Sequence, residues 1–141
     1  MSDSQKFEAF KRQIVETNES RYGKEIREKY GDEAVDRSNA KVLSMPQEDQ
    51  ARWQALGDEI LSALSAAVRA GEAPAGAEGH RIAELHRQWL SFSWAKYTPQ
   101  AHAGVAQMYV ADPRFTAYYD KEQPGCAAFL RDAVLAYTAA R

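Results

Sequence analysis

The side chains best equipped for chemistry are a run of aromatics, three histidines and one cysteine. Trp89, Phe92, Trp94, Tyr97, Tyr109, Phe115, Tyr118 and Tyr119 place eight aromatics in thirty-one residues, against 11% for the chain. Between Leu85 and Ala111 there is no acidic residue, and Arg87 and Lys96 are the reliable charges. Rings with polar tips gathered in a charge-poor stretch suit a pocket for a large, mostly uncharged ligand. The same pattern also describes an ordinary aromatic core. His102 shares a helical face with Ala106 and Tyr109, where its imidazole can hydrogen-bond a ligand or satisfy a buried neighbour.

Other chemistries find less support. His80 and His86 lie about 240° apart around a helix and cannot share a ligand face. With no ExxH pair and no HExxH motif, no metal site is expected. Cys126 falls in the first turn of the last expected helix, where the macrodipole lowers a thiol pKa. The sequence places no histidine beside it, and a small buried cysteine is the plainer reading. The serines of SFSW lack any GxSxG or SxxK context, and EAPAGAEG lacks the Lys-Ser/Thr ending of a phosphate loop. No catalytic constellation assembles, so neither an enzyme nor a cofactor is expected.

The elements that must hold these residues are all helical. Phe7, Phe10 and Ile14 repeat at three and four, and Lys24–Tyr30 and Asp32–Leu43 read as shorter polar helices. Glu25 and Lys29 form an i,i+4 pair in a run that reads as a solvated face. Ser44, Pro46 and Gln47 read as the capped start of a helix whose stripe is Trp53, Leu56, Ile60, Leu64, Ala67 and Val68. Gly71 ends it, and Glu72–Gly79 reads as a loop. Ile82, Leu85 and Trp89 open the next stripe, which continues into Leu90 and Phe92. Thr98-Pro99 and Asp112-Pro113 each open a helix, the first apolar almost all round and so internal. Pro124-Gly125 introduces a last helix with Phe129, Leu130, Ala133, Val134 and Tyr137 on one side. No segment alternates at period two, so the fold class is all-α.

Composition bounds the rest. A chain of 141 residues is one domain by length and buries roughly 70% of its unfolded surface. One cysteine excludes an internal disulfide framework. A net charge of −2 argues against direct nucleic-acid binding by this chain. No apolar run approaches the roughly 20 residues of a membrane span, and MSDSQKFEAF has no secretory h-region, which points to the cytoplasm. Residues 1–50 carry twenty charges and residues 51–141 carry eighteen. A labile, charged N-terminal part is therefore expected beside a stable helical core over residues 51–141.

Three blocks occur in order at compatible distances: ESRYGKEIREKYGDEAVDRSNAK, LHRQWLSFSWAKYTPQAHAGVAQMYVADPRFTAYYD and PGCAAFLRDAVLAYT. Together they resemble the TipAS-type antibiotic-recognition domain, the effector half of MerR-type transcription activators that also occurs alone as a drug binder. The resemblance implies a globin-like helical arrangement without haem and a cleft for bulky hydrophobic antibiotics such as thiopeptides. It also implies an N-terminal segment that orders over the ligand. The block matching the family's cleft supplies Trp89, Phe92, Trp94, Tyr97, His102 and Tyr109 as candidate ligand-binding residues. Members that capture thiopeptides covalently use a cysteine in this block, and ungapped matching puts those positions on Tyr97 and Gly104. Neither is a thiol, so reversible binding is expected. The implied partner is a hydrophobic small-molecule antibiotic, with a DNA-binding domain in a longer parent protein. The output would be drug sequestration or transcriptional activation of resistance genes. A rival expectation is a helical protein–protein interaction module.

Overall fold

A computed structural model of the chain describes residues 11, 12, 15, 16 and 31–139. Lys11, Arg12, Val15 and Glu16 are helical. Six helices follow from Asp32 on: α1 (Asp32–Leu43), α2 (Gln47–Arg69), α3 (Ala77–Ser93), α4 (Pro99–Ala111), α5 (Pro113–Asp120) and α6 (Cys126–Ala139). Among the described residues there is no strand. The helix expected over Lys24–Tyr30, most of that over Phe7–Ile14, the Glu25–Lys29 pair and most of the labile N-terminal segment lie outside the described residues.

Contacts divide the chain into two compact units. One holds the described part of Met1–Trp53 together with Ser91–Lys96, and the other holds Gln54–Leu90 with Tyr97–Arg141. In the first, two lysines tie helix ends by donating to main-chain oxygens. Lys11 is buried, with Nζ 2.6 Å from the Leu43 carbonyl and 3.1 Å from that of Met45. Lys41 Nζ reaches the carbonyls of Ser91 at 2.5 Å and Trp94 at 3.0 Å. An ammonium at a helix C-terminus satisfies orphan carbonyls and meets the negative end of the helix dipole. Ser44 belongs to this first unit as the C-cap of α1, its amide on Ala40 O and its hydroxyl on Lys41 O. It does not open α2, whose helical residues begin at Gln47, with Gln50 N–H donating to Pro46 O.

The second unit is built on Ile60, Leu64, Ile82, Leu130 and Val134, all within 2% of full burial. The α2 stripe is placed as its period predicts, with Ile60, Leu64 and Ala67 buried. It ends where expected: Gly71 N–H donates to Val68 O, and Glu72 N–H reaches back to Ala67 O. The loop that follows is shorter than its composition suggests, because α3 starts at Ala77 and takes in Gly79. A Cβ on Gly79 would lie 1.7 Å from the Pro74 carbonyl oxygen. Only a residue without a side chain lets the turn fold this tightly onto the helix.

On α3 the buried stripe is Ile82, His86 and Leu90, with Gly79 and Ala83 beside it, whereas Leu85 and Trp89 are half-buried. Thr98 caps α4, its hydroxyl oxygen accepting from Ala101 N–H at 3.1 Å, and Pro99 occupies the first turn. Asp112 repeats the device for α5 by accepting from Arg114 N–H at 3.0 Å. Helix α4 is not internal all round: His102, Val105, Ala106 and Tyr109 are buried, and Gln107 is exposed. The stripe on α6 is buried throughout, from Cys126 to Tyr137.

Candidate functional site

Helices α3 and α4 each carry one histidine in the middle of a buried stripe, and the two meet. His86 Nδ1 lies 2.8 Å from His102 Nε2, with ring centroids 5.0 Å apart and planes at 17°. Both side chains are buried to within 1% of completeness. Their outer nitrogens are partnered as well. His102 Nδ1 is 2.7 Å from the Tyr97 hydroxyl, and His86 Nε2 is 3.1 Å from that of Tyr109. The result is one hydrogen-bonded line in the second unit, Tyr97–His102–His86–Tyr109, buried except at its Tyr97 end.

Burial holds both imidazoles neutral. Desolvation, reinforced by the neighbouring His102, pushes His86 well below its usual range. Desolvation and the nearby Arg87 guanidinium lower His102 to about 4, against the opposing pull of Glu84. Around the line stand further rings. Trp89 stacks on His86 at 5.8 Å and 20°, and Tyr119 packs 4.7 Å from Tyr109. Burial raises the Tyr119 phenol well above its usual range, with Tyr109 adding to the effect. The Arg87 guanidinium sits 4.5 Å above the Tyr97 ring and 3.3 Å from the Tyr137 hydroxyl, which also donates to Glu84. Tyr97 is thereby held on one edge by an imidazole and on its face by a cation, and its ring remains half-buried.

Of the six residues expected at a ligand site, this unit brings four together: Trp89, Tyr97, His102 and Tyr109. His102 is 0% exposed and Tyr109 3%, so the half-buried Trp89 and Tyr97 are the members nearer solvent. Phe92 and Trp94 belong to the first unit. There Phe92 packs under the Arg52 guanidinium at 5.7 Å. It also lines a cavity of about 330 Å³ with Lys41, Ser44, Met45, Pro46, Asp49 and Ser91. The Trp94 carbonyl is one of the acceptors of Lys41.

His86 does not figure among the expected site residues. Its place four residues after Ile82 and four before Leu90, on an otherwise apolar stripe, signals its burial but not its pairing with His102.

Cys126 is enclosed at the start of α6. Burial pushes its thiol above the usual range, the Asp120 carboxylate adds to this, and a hydrogen bond with Ser65 opposes it. The helix dipole expected to activate it is already answered by Asp120, which accepts from Ala127 N–H at 2.8 Å. Among the described residues no cluster of histidine, cysteine and carboxylate side chains is arranged to hold a metal ion. None of the described helices is long and apolar enough to cross a membrane.

Comparison with known proteins gives a consistent answer. Residues 22–137 match the TipAS antibiotic-recognition domain. The chain is 36% identical over 138 residues to the HTH-type transcriptional activator TipA of Streptomyces coelicolor, covering 96% of this chain and 53% of that protein. It is 30% identical over 149 residues to the HTH-type transcriptional regulator SkgA of Caulobacter vibrioides, covering 100% and 55%. The chain thus spans about half the length of these relatives. Among solved structures it resembles Streptomyces lividans TipAS in complex with the thiopeptide antibiotic nosiheptide. That match has a TM-score of 0.73 at 32% identity and covers 99% of this chain and 96% of the other.

Proposed function

Since the chain belongs to the TipAS antibiotic-recognition domain family, we propose that it binds bulky, hydrophobic, aromatic-rich antibiotics reversibly and without chemical change. The observation that carries this reading is the pairing of two half-buried rings, Trp89 and Tyr97, with a buried and uncharged polar line behind them. Such a surface offers stacking area and neutral hydrogen-bonding groups, with the nearby Arg87 cation engaged by the Tyr97 ring and the Tyr137 hydroxyl. Trp89 and Tyr97 would contact the drug, while His102 and Tyr109 act through Tyr97. In the first unit, Phe92 and Trp94 are the proposed contact residues. Without a thiol in the matching block, Cys126 being enclosed elsewhere, capture is non-covalent.

The greater length of the helix-turn-helix relatives supports a parent protein with a DNA-binding half, in the cytoplasm, where drug binding becomes activation of resistance genes. Acting alone, the domain would sequester the drug. Isothermal titration with nosiheptide tests the reading. Saturable binding is expected, weakened about three- to tenfold in Trp89→Ala, the worth of one aromatic pair. A folded Trp89→Ala protein that binds as tightly as the parent removes Trp89 from the site, and a parent that takes up no nosiheptide defeats the reading for thiopeptides.

A further inference from the structure

A neutral imidazole has one N–H and one lone pair. Across the 2.8 Å contact one ring must donate and the other accept. If His102 carries its hydrogen on Nε2, His86 Nδ1 must be bare, so the His86 hydrogen is on Nε2 and faces Tyr109. His102 Nδ1 is then bare and accepts from the Tyr97 hydroxyl. Reversing the central bond reverses all three: Tyr109 donates to His86 Nε2, His86 Nδ1–H to His102 Nε2, and His102 Nδ1–H to the Tyr97 oxygen. Mixed arrangements set two hydrogens or two lone pairs against each other, unsatisfied and buried, which is costly.

We propose that His86 and His102 form a two-state tautomeric relay between Tyr97 and Tyr109, so that the Tyr97 hydroxyl meets a ligand as acceptor in one state and as donor in the other. This rests on the reading above that Tyr97 contacts the drug. In the first state the Tyr97 hydrogen is committed to His102 and its oxygen accepts. In the second the oxygen accepts from His102 and the hydroxyl hydrogen turns to another acceptor. Passing from first to second, one proton enters at the Tyr97 oxygen for each one released at the Tyr109 oxygen. Water, reaching the line through local opening, is donor and acceptor, so every group ends neutral and no charge is created. His86 is therefore a positioning residue: it touches no ligand, yet it fixes which nitrogen of His102 carries the hydrogen. The ligands served are uncharged heteroaromatic or amide-rich compounds that present either a ring nitrogen or carbonyl, or an N–H or O–H, at this point. One site then accepts chemotypes of opposite hydrogen-bonding sense.

The test is nitrogen-15 imidazole spectroscopy on the histidine-labelled chain at neutral pH, first without ligand. The expected result is two neutral rings in the same form, both Nε2–H or both Nδ1–H, or exchanging together between the two. One ring of each form, or a charged imidazolium, overturns the relay. Nosiheptide is then added. Movement of both rings toward the same form is expected, and Tyr97→Phe should abolish that movement and weaken binding about tenfold, the worth of one hydrogen bond. Saturable binding by isothermal titration with both tautomers unmoved overturns the role of the relay in recognition. If titration shows no uptake of nosiheptide, the antibiotic reading fails for thiopeptides, while the ligand-free spectrum still decides the relay on its own.

Discussion

Two imidazoles hydrogen-bonded edge to edge in a buried site resist taking up a proton, which makes this pair a source of acid sensitivity. Both have folded pKa values below the 6.5 of an unfolded histidine, His102 at about 4. Between those values the unfolded chain binds protons that the folded chain refuses, so stability falls as pH is lowered. The contribution is complete above pH 6.5 and is lost on acidification, at about 1.4 kcal/mol per pH unit for each ring that titrates. Glu84 opposes part of this by favouring a charged His102, and Arg87 adds to it. Thermal melts between neutral pH and about 4.5 should show a falling midpoint, and His86→Asn should flatten the profile even if its midpoint is lower throughout. A flat profile in the parent would mean that the pair is not sealed. The aromatic candidates were legible as a cluster in the sequence because their density is high and their surroundings lack charge. The histidine pair was not, since it depends on which turns of α3 and α4 face each other, a relation that no local spacing encodes.

Helix ends from α1 onward were largely readable, because proline, glycine and short polar caps act within a few residues. Thr98 and Asp112 sit where their neighbours predict. The two misreadings have a common cause. Ser44 has the side chain of an N-cap, but its hydroxyl closes α1. Gly79 has the composition of a loop, but packing places it inside α3. In both cases the deciding neighbour, Lys41 O for the Ser44 hydroxyl and Pro74 O against Gly79, lies within five residues, and the path of the backbone rather than the residue type brings it there. Gly79→Ala should be disproportionately damaging for so small a change. A methyl group cannot share space with a main-chain oxygen, and relieving the clash should cost about 1–3 kcal/mol in chemical denaturation. Gly104→Ala provides the control, since a Cβ there meets nothing within 4 Å. It should match or slightly exceed the parent, alanine being the better helix former.

At the scale of the whole molecule, the two units are held by different means. The second has a continuous apolar core from α2 to α6. The first relies in part on lysine ammonium groups closing helix ends. Lys41→Met keeps the aliphatic stem and removes the donors to Ser91 and Trp94. It should cost about 1 kcal/mol and accelerate amide exchange over residues 32–43 and 91–96, leaving the second unit protected. Uniform acceleration along the chain would instead mean that the two units open together. The enclosed Cys126, the chain's single thiol, lends itself to a different experiment. A disulfide reagent meets this sulfur only when α6 lifts, so the labelling rate in native buffer counts openings of the second unit directly. Where reclosing outruns the reaction, that rate divided by the rate for an unfolded thiol is the population of the open form. Nature has thus placed a clock in the domain, and a drug that clamps the second unit should slow it in proportion to occupancy.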